Sequence, residues 1–108
     1  MKAVVKDIIN SSIAAFHKEG LEVFSVLEKA YYNQEHIEIS FAGIERCATQ
    51  FLNASIGKMY MQFERTSLDT LIVYDYANIS HLPEKIEEVI ENAINSKEYD
   101  SLLEIATS

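Results

Sequence analysis

Apolar positions along the chain change period several times, and each change predicts a new element. Lys2 to Ile9 carries Val4, Val5, Ile8 and Ile9, a β-branched run that reads as a strand and stops at the turn signal Asn10-Ser11-Ser12. Ile13 to Phe16 is a brief apolar run that fits a second, short strand. From Lys18 or Leu21 to Tyr32, the residues Leu21, Phe24, Leu27 and Tyr31 recur at spacings of three and four, the mark of an amphipathic helix. Gly20 falls at its start, where flexibility costs less than in mid-helix. His36-Ile37-Glu38-Ile39-Ser40-Phe41 alternates polar and apolar as a half-buried strand does, and Ala42-Gly43 turns the chain. Leu52, Ile56, Met59, Tyr60 and Phe63 trace one stripe of a helix between Thr49 and Phe63. Leu68 to Tyr76 holds Leu71-Ile72-Val73-Tyr74, apolar on both faces as a central strand would be. Asn78 and Ser80 offer caps, Pro83 suits a first helical turn, and Leu82, Ile86, Val89, Ile90, Ala93 and Ile94 give the clearest helix of the chain.

Strands separated by helices in this order imply a partly parallel sheet with crossover helices. The expected fold is a single α/β domain over residues 1–108, with about four strands in one mixed sheet and helices packed mainly on one face. Residues 97–108 predict a short helix, with 98–108 as a loosely packed tail.

Composition narrows the options. A chain of 108 residues is long enough to bury a core without disulfide or metal staples. The formal charge of −8, with nine scattered basic residues, argues against nucleic acid as the ligand. Acidity of this kind keeps a small protein soluble and can attract a basic partner. One cysteine excludes an internal disulfide and a multi-cysteine zinc site. With no basic-then-apolar leader and no run near the ~20 apolar residues of a membrane span, a cytoplasmic location and no membrane association are expected.

The segment Ile37-Glu38-Ile39-Ser40-Phe41-Ala42-Gly43-Ile44-Glu45-Arg46-Cys47-Ala48-Thr49-Gln50-Phe51-Leu52-Asn53 reads as strand, glycine turn, hydrophobic step and helix start. It resembles the STAS domain of anti-sigma-factor antagonists, and more closely the STAS-like group of bacterial domains. In that group a strand is followed by Ser-Phe-x-Gly-Ile and then by a Phe-Leu-Asn helix opening. Ser40, Phe41, Gly43, Ile44, Phe51, Leu52, Asn53 and Gly57 match that pattern, over roughly residues 35–65. The resemblance implies a STAS-like fold, a non-catalytic regulatory or scaffold role in signal transduction, and a histidine-kinase-type ATPase as protein partner. It also implies that Thr49 holds the phosphoacceptor position. The STAS motif Asp-Ser-Ser-Gly is replaced here by Ala48, Thr49, Gln50 and Phe51, so the hydroxyl is kept and its surroundings are not.

A helix N-terminus has unpaired N–H groups and partial positive charge, so it tolerates a phosphate. The alternative reading of Thr49 is a helix cap. The partner-binding residues expected from this segment are Ala42, Gly43, Glu45, Arg46, Thr49, Gln50 and Asn53. Asn53 is also read as reaching back to the turn near Ser40 and Gly43, and Gly57 as a close-packing point against the sheet or a neighbouring element.

Other chemistry is weakly supported. Cys47 precedes a helix start, where a thiol can be activated, but His17, His36 and His81 form no motif with it, and a buried small residue is the expected identity. The histidines lack metal-ligand spacing. Glu84, Glu87, Glu88 and Glu91 form an acidic strip that reads as a solvated helix face. There is no Walker or dinucleotide glycine loop, and no cofactor is expected. Two further functional readings stay open: a structural homo-oligomer, in its simplest form a homodimer, and a small cysteine-dependent enzyme.

Overall fold

A computed structural model describes the backbone of residues 1–107 and the side chains of residues 1–97. The expected looseness of residues 98–108 lies outside the described residues. The chain forms β1 (Lys2–Val4), α1 (Val5–Ile9), β2 (Ile13–Ala14), α2 (His17–Tyr32), β3 (Ile37–Ser40) and β4 (Arg46–Cys47). One long helical stretch follows: α3 (Thr49–Leu52), a π-helical turn (Asn53–Gly57) and α4 (Lys58–Gln62). Then come α5 (Arg65–Leu71), β5 (Ile72–Asp75) and α6 (Leu82–Thr107).

The strands form two parallel sheets rather than one mixed sheet of about four strands. The larger has the order β1-β3-β5, and β2 pairs with β4 in the smaller. Each strand is joined to its partner by a crossover that includes a helix, which returns the chain in the same direction; a mixed sheet would need a tight hairpin. The central strand is β3. β5, expected to be central, lies at an edge, where Val73 is 60% exposed.

Register explains the layering. Ala3, Ile39 and Tyr74 are aligned across the larger sheet, and Ala3, Ile37, Ile39 and Ile72 are buried beneath the helices. The alternate row, Lys2, Glu38 and Val73, faces outward, and Lys2 approaches Glu38 at 3.8 Å. Helices therefore cover one face, as the pattern suggested.

Two expected strands are cut short by helices. Val5 and Ile9, read as part of a strand over Lys2–Ile9, are four residues apart on one face of α1 and are both buried. A β-branched run with spacing four satisfies either period, and Asn10 ends the helix in a left-handed conformation that asparagine tolerates. Similarly, Leu68 to Leu71 belong to α5, which buries Leu68, and the strand starts only at Ile72.

The helical stretch from Thr49 to Gln62 is wedged between α2 and α6. Its π turn forms where the buried Ser55 hydroxyl donates to the Phe51 carbonyl at 2.9 Å, a back-bond that competes with the helical ladder. Gly20 of α2 fits against this turn: a Cβ there would stand 2.6 Å from both the Ala54 Cβ and the Phe51 carbonyl oxygen. On the other side, a Cβ on Gly57 would meet Val89 Cγ1 of α6 at 3.2 Å. Gly57 is thus the close-packing point expected of it. Gly20, in the first turn of α2 as expected, serves the same purpose. α6 buries Leu82, Ile86, Val89, Ile90 and Ala93 and keeps Glu84, Glu87, Glu88 and Glu91 in solvent. Its first turn is closed by the backbone, with Leu82 N–H donating to Ile79 O and Lys85 N–H to His81 O, rather than by Asn78 or Ser80 side chains.

Candidate functional site

Loops at the carboxyl ends of parallel strands are where α/β proteins place binding groups. Two such loops, after β3 and after β5, meet in this chain. After β3, Ser40 is fully buried, and its Oγ donates to Asp75 Oδ2 at 3.0 Å and accepts from Ala42 N–H at 3.3 Å. Asp75, the last residue of β5, accepts from Ala77 N–H through Oδ1 at 3.1 Å. One carboxylate thereby ties the turn after β3 to the loop after β5. The residue that ties the turn is Asp75, not Asn53, which lines a groove against α6 with Gly57, Met61, Asn92 and Ser96. Asp75 escaped the sequence reading because an acid ending a strand looks like an ordinary boundary.

The Ala42–Gly43 turn depends on Gly43, whose φ of +80° disfavours any residue with a Cβ. The loop after β5 is stranger. Ala77 (φ 53°), Asn78 (φ 58°) and His81 (φ 63°) all adopt left-handed conformations within five residues; Asn and His tolerate this region, and the strain falls on Ala77. Strain of this kind persists where the surroundings over-determine the backbone, and it gathers at functional sites.

Between this strained loop and the smaller sheet lies a cavity of about 580 Å³. Ile13, Ala15, Cys47, Ala48, Ile79 and Leu82 supply its apolar wall, and Glu45, Arg46, Ser80 and Lys85 its polar groups. Lys85 Nζ reaches over to the Cys47 carbonyl at 3.4 Å. The Glu45 carboxylate is engaged by Ser12 Oγ at 3.4 Å, whereas among the described residues neither Arg46 nor Lys85 takes part in a salt bridge.

Cys47 is buried in β4, as expected of a small residue at this step. Burial pushes its thiol up from 9.0 to about 11, against a smaller opposing pull from Lys85, so it stays protonated at neutral pH. The three histidines occupy separate exposed positions, and among the described residues no group of three or more metal-ligating side chains is assembled.

The predicted site residues fall into three neighbourhoods. Ala42 and Gly43 form the exposed turn, beside the Lys6 side chain. Glu45 and Arg46 rim the cavity, and Asn53 faces the groove beside α6. Thr49 is exposed as the first residue of α3, where Ala48 takes the cap position with no side-chain cap bond. Thr49 is therefore not the cap, because its backbone is already helical. Gln50 is exposed beside it, while Phe51 and Leu52 are fully buried.

This architecture defines a small α/β domain whose crossover helices cover one face of a parallel sheet. Residues 19–81 match the family described as "STAS-like domain of unknown function (DUF4325)". The match takes in α2 through β5 and ends just before α6, more than half of the chain, and the chain belongs to that family. No curated protein and no solved structure matches it. Among the described residues, no helix is long and apolar enough to cross a membrane.

Proposed function

We infer that this STAS-like domain is a regulatory or scaffold module that binds a protein partner and does not itself catalyse a reaction. The observation that carries this reading is the division of labour along residues 40–53. Ser40, Phe41, Ile44, Cys47, Phe51 and Leu52 are buried, while Ala42, Gly43, Glu45, Arg46, Thr49, Gln50 and Asn53 are exposed. A stretch anchored by interspersed buried side chains presents the others in fixed positions, which favours recognition because little conformational freedom is lost on binding. The protonated, buried Cys47 adds support, since a thiol without thiolate character is a poor nucleophile.

The partner we propose is a histidine-kinase-type ATPase, by analogy with the wider STAS class. Thr49 is the candidate switch. Its phosphorylation would add close to two negative charges next to Gln50, making that part of the surface acidic. Affinity purification of the tagged full chain from the organism that encodes it tests the reading. The expected result is retention of such an ATPase by the wild type, with at least a tenfold loss for Arg46→Glu and a changed yield for Thr49→Glu. Wild type retaining no protein, or both variants retaining the same set in the same amounts, would refute it.

A further inference from the structure

We propose that the cavity between the smaller sheet and the loop after β5 binds a small organic acid: a molecule with one carboxylate and an apolar body. The volume, about 580 Å³, lies within the range of about 300–1,000 Å³ typical of small-molecule sites. Its lining has the matching make-up, an apolar wall with a few polar groups. Ile13, Ala15, Cys47, Ala48, Ile79 and Leu82 would enclose the body of the ligand.

Charge sets the class of the head group. Arg46 and Lys85 line the cavity and form no salt bridge among the described residues, in a chain carrying 17 acidic and 9 basic residues. The lining acid, Glu45, has its carboxylate turned to Ser12. With two cations against one acid the lining carries a net positive charge, which complements an anion, and a guanidinium can hold a carboxylate through two parallel hydrogen bonds. A neutral apolar ligand would leave the Arg46 guanidinium without a ligand partner, and a cationic one would meet a lining of net positive charge.

The backbone adds a reason for the cavity to persist. Ile79 and Ser80 sit between left-handed Asn78 and His81, residue types that tolerate this conformation, so the wall follows a defined turn of the backbone. The loop is fixed at its base by Asp75, which also holds the turn after β3. An acid bound here would touch Arg46 three residues before Thr49. That gives the domain a place for a chemical input, and the binding itself is independent of any protein partner.

Amide spectra of the full-length, isotope-labelled chain test the site without a partner present. Octanoate and phenylacetate are the probes, with octanamide and phenylacetamide as their neutral counterparts. At least one of the two acids should give saturable shifts at Cys47, Ala48, Ile79 and Ser80, with a dissociation constant of about 1 mM or tighter. Its neutral amide should bind about tenfold more weakly, as should an Arg46→Gln, Lys85→Gln variant, since hydrogen bonds to charged groups are lost. Ala15→Phe, which fills the cavity and leaves the charges in place, should abolish the shifts. The proposal is overturned if neither acid gives a saturable shift, if the amides bind as well as the acids, or if the shifts map away from the cavity. Should a variant fail to fold, the acid-against-amide comparison on the wild type decides alone.

Discussion

Gly20→Ala sets two known effects against each other and has a predictable winner. Alanine is the better helix former by about 1 kcal/mol, so in an open stretch of α2 the change would stabilise. Here the added methyl would stand 2.6 Å from the Ala54 Cβ and 2.6 Å from the Phe51 carbonyl oxygen. Carbon atoms in contact prefer about 3.5–4.0 Å, so α2 must retreat by roughly 1 Å from the helix it packs on. One of the obstructing atoms is backbone, the Phe51 carbonyl of α3 that accepts the Ser55 back-bond, and cannot rotate aside. Overpacking of this kind costs about 1–3 kcal/mol, and the upper end applies when neither neighbour can yield. The net loss should be about 2 kcal/mol, or roughly 8 °C in Tm for a domain of this size. Thermal melts at one pH and protein concentration measure it, alongside Ala54→Gly and the double variant. The double variant should be less destabilised than the sum of the two singles by at least ~0.5 kcal/mol, because the methyl–methyl contact is then gone. A Tm for Gly20→Ala equal to or above that of the wild type would refute the reasoning.

Other consequences can be checked on the same footing. Asp75→Ala removes the acceptor shared by Ser40 and Ala77, so urea titration should show a loss of about 2 kcal/mol, and the Ala42 and Ala77 amides should exchange faster with solvent. Ala77→Gly relieves a left-handed alanine that costs about 1–2 kcal/mol and adds chain entropy to the unfolded state, leaving a gain of about 0.5 kcal/mol in the same titration. Because the Cys47 thiol is raised from 9.0 to about 11, the unfolded chain ionises first; the stability it contributes is complete below pH 9 and is lost as pH rises through about 11. A difference in stability between wild type and Cys47→Ala that declines over that window would show it, and slow alkylation of the native thiol at pH 8 should accompany it.

Read alone, the chain already determined the class of fold, the stripes of the longer helices and the segment that carries the family pattern. Leu27, Ile39, Leu52, Ile56 and Ile86 announce their burial through spacing, because a period of two or of three and four is a local property of backbone geometry. The exposed positions Ala42, Gly43, Glu45, Arg46, Thr49, Gln50 and Asn53 were expected from the family resemblance and not from spacing. Where two periods agree locally, as in Val4-Val5 with Ile8-Ile9, the choice fell to packing, and burying Val5 and Ile9 on one helical face ended the strand at Val4. Pairing partners were also beyond local reading, so the division into a three-stranded and a two-stranded sheet and the edge position of β5 emerged only in three dimensions. The Asp75 tether spans 35 residues, and the cavity joins Ile13 to Lys85. Such contacts leave no periodic trace along the chain: the energy that selects them belongs to surfaces that meet only after the helices have closed over the sheet.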